Sequence, residues 1–152
     1  MLYLLALLMG VVAGLRAMTA PAAVSWAAAL GLVHVTDTWL AFLGFRWTPW
    51  ILTVFAAGEL ITDQLPSTPS RTVPVQFGTR LLTGALAGAA ITAADSVIVG
   101  AVAGVVGAVI GTLGGRAGRA RLASAFGKDL PAALIEDVVA IAGAAAIVSA
   151  LG

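Results

Sequence analysis

Residues 1–33 read MLYLLALLMGVVAGLRAMTAPAAVSWAAALGLV, an apolar stretch interrupted near its middle by Arg16 and Pro21. About 20 helical residues cross the hydrocarbon core of a bilayer, so this stretch is too long for one ordinary span. We therefore predict two half-helices, Leu2–Ala13 and Ala20–Val33, joined by a break near Arg16–Thr19. A single tilted and kinked helix is the alternative.

The composition of the whole chain predicts a membrane protein. Hydrophobic residues make up 61% of the 152 residues, charged residues only 10%, and the mean hydropathy is +1.06. A typical soluble domain is about a quarter charged, and a chain of this size has a large surface to cover. We expect a single transmembrane domain over residues 1–152, in the cell (inner) membrane.

The residues that the chain lacks exclude several kinds of site. It has no cysteine and one histidine, His34, so we expect no metal site and no cofactor. No nucleophile lies beside a base, so we expect no enzymatic activity. A net charge of +1 without a clustered basic motif argues against a nucleic-acid partner.

Four further apolar segments, at about residues 48–65, 77–94, 97–115 and 130–151, complete an all-α protein of about five membrane helices. Six basic residues lie in the connections 66–80 and 116–128, against Arg46 on the other side. Basic loops stay cytoplasmic. We therefore predict a cytoplasmic N-terminus and an external C-terminus, provided that the first block crosses once rather than being re-entrant.

Six glycines recur at spacings of four and three residues along the fourth of these spans, which places them on one helix face. They are Gly100, Gly104, Gly107, Gly111, Gly114 and Gly118. Small residues let membrane helices approach closely. We expect this face to pack against another helix, within the chain or in a homo-oligomer.

An offset of 64 residues aligns the segment 14–20 with the segment 78–84, and both have the pattern G-x-R-x-x-T-small. This similarity predicts two related halves, 1–65 and 77–152. Chance similarity in so biased a composition is the alternative. Transporters often consist of repeats with the substrate site where broken helices meet.

Ionisable side chains at membrane depth are costly and are candidates for function. We expect a polar cluster, binding a solute or an ion, that is formed by Arg16, Glu59, Asp63, Arg71, Arg80, Glu136 and Asp137. Acids in excess over arginines could carry protons or bind a cation. Structural ion pairs without a binding role are the alternative.

Three segments of the chain resemble a family of small bacterial integral membrane proteins classed as a domain of unknown function. The segments are Gly14-Leu15-Arg16 through Pro21, Pro66-Ser67-Thr68-Pro69-Ser70-Arg71, and Asp129 through Glu136-Asp137. The resemblance covers nearly the whole chain. It implies a helical membrane protein and no particular activity, substrate or cofactor.

The sequence thus predicts a small secondary transporter or channel for a small solute or ion, embedded in the lipid bilayer. A non-transporting scaffold that associates through its glycine faces is the first alternative. An enzyme acting on a lipid head group is the second. The proline- and serine-rich loop with Arg71 is a candidate site for an anionic head group.

Overall fold

The computed structural model describes residues 1–65, 70 and 72–152. Its α-helices are α1 (Leu2–Leu15), α2 (Thr19–Ala29), α3 (Thr48–Thr62), α4 (Pro74–Ile91), α5 (Val97–Phe126) and α6 (Asp129–Leu151). A 3₁₀ helix, Trp39–Gly44, lies between α2 and α3. The chain is 80% helical and the described residues form no strand, so the predicted all-α class is confirmed.

Two helices, α5 and α6, are long and apolar enough to cross a membrane, judged by length and composition. Many of their large apolar side chains are exposed; Val102 on α5 is 58% exposed and Val138 on α6 is 65% exposed. These features support a membrane location. The apolar helices α1 and α3 have only 14 and 15 residues, about 21 and 23 Å at the usual rise per residue. The number of five spans therefore stays a prediction.

The break in the first apolar block occurs at residues 16–18, where it was predicted. Arg16 has extended backbone angles, φ −140° and ψ 109°, and ends α1. Pro21 lies in the first turn of α2, where its missing N–H is tolerated. A helix continuing through the break would instead bring the Pro21 ring against the carbonyl of Ala17.

The two half-helices fold back on each other instead of continuing in line, as their contacts with α6 show. Arg16 binds Asp137 near the start of α6, and Val12 lies beside Gly143 farther along, so α1 and α6 are antiparallel. After α2, Leu32 lies beside Gly152 at the end of α6. Helix α2 therefore runs in the same direction as α6 and opposite to α1.

This fold-back places both termini at one end of the bundle, unlike the predicted arrangement. The prediction of termini on opposite sides required a single crossing by the first block. In the fold, the α1 start lies beside the α4–α5 turn, where the Tyr3 hydroxyl donates to Asp95 at 2.5 Å. The end of α6 lies at that same end of the bundle, because α1 and α6 are antiparallel. We call this the terminal end, and the other, which holds Arg16, the charged end.

Helices α1, α4 and α5 pack backbone against backbone, with α5 in the groove between the other two. A Cβ atom at Gly84 of α4 would lie 2.7 Å from the Gly104 carbonyl oxygen. One at Gly107 would lie 2.8 Å from the Val11 nitrogen of α1. Real Cβ atoms do not approach this closely, so glycine is required at these contacts. The partner of this part of the glycine face is the chain itself.

The last two glycines of the predicted face do not take part in this packing. Within the described residues, no atom of another part of the chain lies within 4 Å of the position that a Cβ would occupy at Gly114 or Gly118. The physical reason is length: α1 ends at the level of Thr112, and α5 continues beyond it. The basic stretch 116–128, predicted as a connection, is helical as far as Phe126.

Candidate functional site

The break leaves the last carbonyl groups of α1 without helical partners, and side chains of other helices supply them. The Arg80 guanidinium donates from Nη1 to the Gly14 and Leu15 carbonyl oxygens at 2.6 and 2.8 Å. The Thr112 hydroxyl also donates to the Gly14 carbonyl, at 3.4 Å. A cation here interacts favourably with the negative end of the α1 dipole.

The free amides at the start of α2 are bound by a carboxylate of α3. The backbone N–H groups of Ala17 and Met18 donate to the two oxygens of Glu59 at 2.8 and 2.7 Å. An anion is favoured at this position because helix N-termini carry partial positive charge. The free carbonyl groups at the end of α1 and the free amides at the start of α2 therefore both bind charged side chains from elsewhere in the fold.

Arg16 itself lies at the centre of the site and is fully buried. Its Nε donates to Asp137 Oδ1 at 2.5 Å, and its Nη1 donates to Asp63 Oδ2. Its Nη2 contacts Asp137 and lies 3.8 Å from Glu136. One guanidinium thus bridges the end of α3 and the third turn of α6.

Two further side chains, Arg80 and Gln64, close the same junction. Arg80 Nη2 lies 3.9 Å from carboxylate oxygens of both Glu59 and Asp63. The Gln64 side-chain amide donates to Asp137 Oδ2 at 3.3 Å. Six of the seven predicted site residues therefore meet in one group, which we call the ionic cluster. Its members are Arg16, Glu59, Asp63, Arg80, Glu136 and Asp137.

The seventh residue, Arg71, and most of the loop segment 66–71 lie outside the described residues.

The two copies of the G-x-R motif differ in backbone, since Arg16 is extended whereas Arg80 lies inside α4. Their arginines nevertheless contact one acid in common, Asp63. The internal repeat stays a prediction.

Sequence reasoning missed Arg119, which contacts the ionic cluster from α5. Its guanidinium binds Asp129 at 2.6 and 2.9 Å, lies 3.5 Å from Glu136, and donates to the Asp63 carbonyl at 3.4 Å. The usable signal was the spacing: Arg119 follows Arg116 by three residues, which places both on one face of a helix. It went unused because this stretch was taken for a loop.

A cleft of about 560 Å³ lies between α2, α3 and α6. Its lining is almost entirely apolar and comes from one face each of α2, α3 and α6: Thr19, Ala22, Ala23, Trp26, Thr53, Ala56, Ala57, Leu60, Ile141, Ala144, Ala145, Val148 and Ser149. One helical turn beyond Leu60 and Ile141, towards the charged end, the same helix faces carry Asp63 and Asp137. The ionic cluster therefore lies just beyond this end of the cleft without lining it, and we call it the floor of the cleft.

Within the described residues, no group of three or more His, Asp or Glu side chains is placed to hold a metal ion. What the ionic cluster can do is hold α3 against α6 through charged contacts. Comparison of the chain with protein-family models, with curated proteins and with solved structures gives no match.

Proposed function

We propose that the protein is a multi-pass membrane protein that works as a small secondary transporter or channel for a small solute or ion. The observation that carries the proposal is the cleft whose floor is an ionic cluster built at a broken helix. Known transporters commonly place their sites at the ends of discontinuous helices, where free backbone groups and charges meet.

The geometry supports a gate at the floor of the cleft. Helices α3 and α6 are joined there by the Arg16 bridge between Asp63 and Asp137 and by the Gln64–Asp137 hydrogen bond. Separating these two helices opens a path through the floor towards the charged end. A solute favours the open state only if it binds that state more tightly than the closed one, for instance by competing for a carboxylate of the bridge.

We further propose that the charged end faces the cytoplasm and that both termini are external. Arg116, Arg119, Arg121 and Lys128 all belong to that end, as the positive-inside rule requires. Single cysteines at Ser70 and Ala120 should react with an impermeant maleimide only from the cytoplasmic side, and one at Thr36 only from outside. Labelling at Ser70 from outside would contradict this orientation.

The transport function is tested in two steps on purified protein. A thermal-shift screen of small ions and organic solutes identifies binders, because specific ligands raise the apparent melting temperature. Uptake of each binder is then measured in proteoliposomes. Ala145→Leu, which fills the cleft, should abolish uptake, whereas Ala146→Leu, on an exposed position outside the lining, should leave it unchanged. Uptake that persists in Ala145→Leu would contradict a path through the cleft.

A membrane scaffold is the second candidate, and the full burial of Arg16 among its acids favours it. A purely structural cluster has no need to open. The scaffold predicts that no solute in the screen shifts the melting temperature, and that the protein is isolated as a homo-oligomer. A monomer with a solute-dependent shift would exclude this alternative.

A further inference from the structure

The cleft has the size and lining of a small-molecule site. Its volume of about 560 Å³ lies within the range of roughly 300–1,000 Å³ that ligand pockets occupy. Six of its thirteen lining residues are alanines, two from each helix, and the polar side chains on the wall are Trp26, Thr19, Thr53 and Ser149. Such a wall accommodates an apolar body with few hydrogen-bonding groups.

The charge offered at the floor is negative. The side chains of Asp63 and Asp137 are 15% and 9% exposed, whereas those of Arg16 and Arg80 are 0% and 2% exposed. Both acids continue the lining faces of their helices by one turn. Arg80 binds the carbonyl groups of the broken helix, and Arg16 is enclosed by the acids that it binds. Carboxylate is therefore the charge that stays partly accessible at the floor, whereas both guanidinium groups are covered.

An aromatic ring on the wall is held in place beside this path. The Trp26 indole N–H donates to the Thr53 hydroxyl at 3.0 Å, which joins α2 to α3 across the cleft. The rings of Trp26 and Trp50 pack in a T-shaped arrangement, with 5.0 Å between the ring centroids. An indole face attracts cations, most strongly where water is excluded.

From these three features we infer that the cleft binds a lipophilic organic cation, such as a quaternary ammonium or phosphonium ion with apolar substituents. The apolar body packs on the alanine wall and Trp26, and the positive charge lies towards Asp63 and Asp137. This ligand is complementary to the floor, and an anion of the same shape is repelled by it. As a substrate assignment it rests on the proposed transport function; as a binding site it does not.

The test compares two ions with the same four phenyl groups and opposite charge. Purified protein in nanodiscs of zwitterionic lipid is titrated with radiolabelled tetraphenylphosphonium, and binding to empty nanodiscs is subtracted. We expect saturable binding that tetraphenylborate displaces at least about tenfold less well than unlabelled tetraphenylphosphonium. Equal displacement by the two ions, or no saturable binding, would overturn the inference.

Substitutions in the cleft and at its floor test where the cation binds. Ala145→Leu should abolish the saturable component and Ala146→Leu should preserve it, while Asp63→Asn and Asp137→Asn should each weaken it about tenfold. The alanine pair decides the outcome if either asparagine variant fails to fold. Unchanged binding in Ala145→Leu overturns the site. Cation binding without uptake in proteoliposomes would refute transport but not the cation site. Uptake of another solute, without cation binding, would refute only the cation site.

Discussion

The two halves of the bundle are built in different ways. In the closely packed half, α1, α4 and α5 touch through backbone atoms at Gly84, Gly104 and Gly107. In the open half, α2, α3 and α6 surround the cleft, and the only buried residue of α3 is Pro49. No atom from another described part of the chain lies within 4 Å of where a Cβ of Gly58, on α3, would lie.

The closely packed half is therefore the rigid part of the molecule, and the open half is the part held by polar contacts. Lipid gives helices no hydrophobic reason to associate, so close van der Waals packing through small residues is what fixes the first half. Helix α3 has little such packing and is held mainly by polar contacts, at Glu59, Asp63 and Thr53. Elements with few packed contacts are the ones that move most readily. We therefore assign movement to α3 and the fixed frame to α1, α4 and α5.

The largest expected effect is that of Gly107→Leu in the closely packed half. A side chain there meets the backbone of α1, with the Val11 nitrogen 2.8 Å from the new Cβ. Backbone atoms cannot rotate away as a side chain can, so the helices must separate. We expect no folded protein in mild detergent, as measured by size-exclusion chromatography and thermal unfolding.

Gly114→Leu is the matched control on the same helix. Nothing lies within 4 Å of a Cβ at Gly114, and leucine has the better helix propensity by up to about 1 kcal/mol. Its melting temperature should equal or exceed that of the wild type. If both variants fold equally well, close glycine packing is not what fixes this half.

The next largest effect is expected for Arg16→Ala, at the floor of the open half. The substitution removes the guanidinium that joins Asp63 to Asp137, so the buried Asp137 and the partly buried Asp63 both lose this arginine partner. Losing one partner of a buried ion pair costs about 3–5 kcal/mol. Thermal unfolding of the variant checks this value. Arg121→Ala, at an exposed arginine, should change stability by no more than about 0.5 kcal/mol.

The sequence predicted the parts of this comparison that depend on local chemistry. Pro21 and Arg16 indicated a break, and the glycine spacing indicated close packing. The high cost of charge in an apolar block indicated that the acids and arginines would meet. Each of these inferences follows from what one residue type can or cannot do in a helix.

The sequence could not predict the direction in which the chain continues after the break. A break at residues 16–18 permits either an in-line kink or a fold-back, and contacts with Asp137 and Gly143, more than 100 residues away, decide between them. The glycine face was extended to Gly118 because helical periodicity says nothing about where a partner helix ends. Gly10 and Gly14 were missed, although their spacing of four residues was the usable signal.

A smaller effect is expected for Glu59→Gln, which tests how the α2 start is held. Both carboxylate oxygens accept from backbone amides, whereas glutamine offers one acceptor and turns its NH₂ towards the other N–H. Leaving one buried donor unsatisfied costs about 1–3 kcal/mol. The free energy of unfolding should fall by that amount, against no measurable change for Asp37→Asn at an exposed site. An equally stable Gln variant would mean that Glu59 is not needed as a charged cap.

The smallest effect is expected for Trp26→Phe, which removes one hydrogen bond between α2 and α3 and keeps most of the ring. The Thr53 hydroxyl loses the indole donor but still donates to the Pro49 carbonyl at 2.7 Å, so no buried group is left without a partner. The expected loss is therefore about 0.5–1.5 kcal/mol. A double-mutant cycle with Thr53→Val isolates the bond itself, because the coupling energy excludes the other effects of each change. A coupling energy near 1 kcal/mol fits an α3 held by a few separable polar contacts. A loss as large as that of Arg16→Ala would mean that α3 is part of the rigid frame, and the division between the two halves would fail.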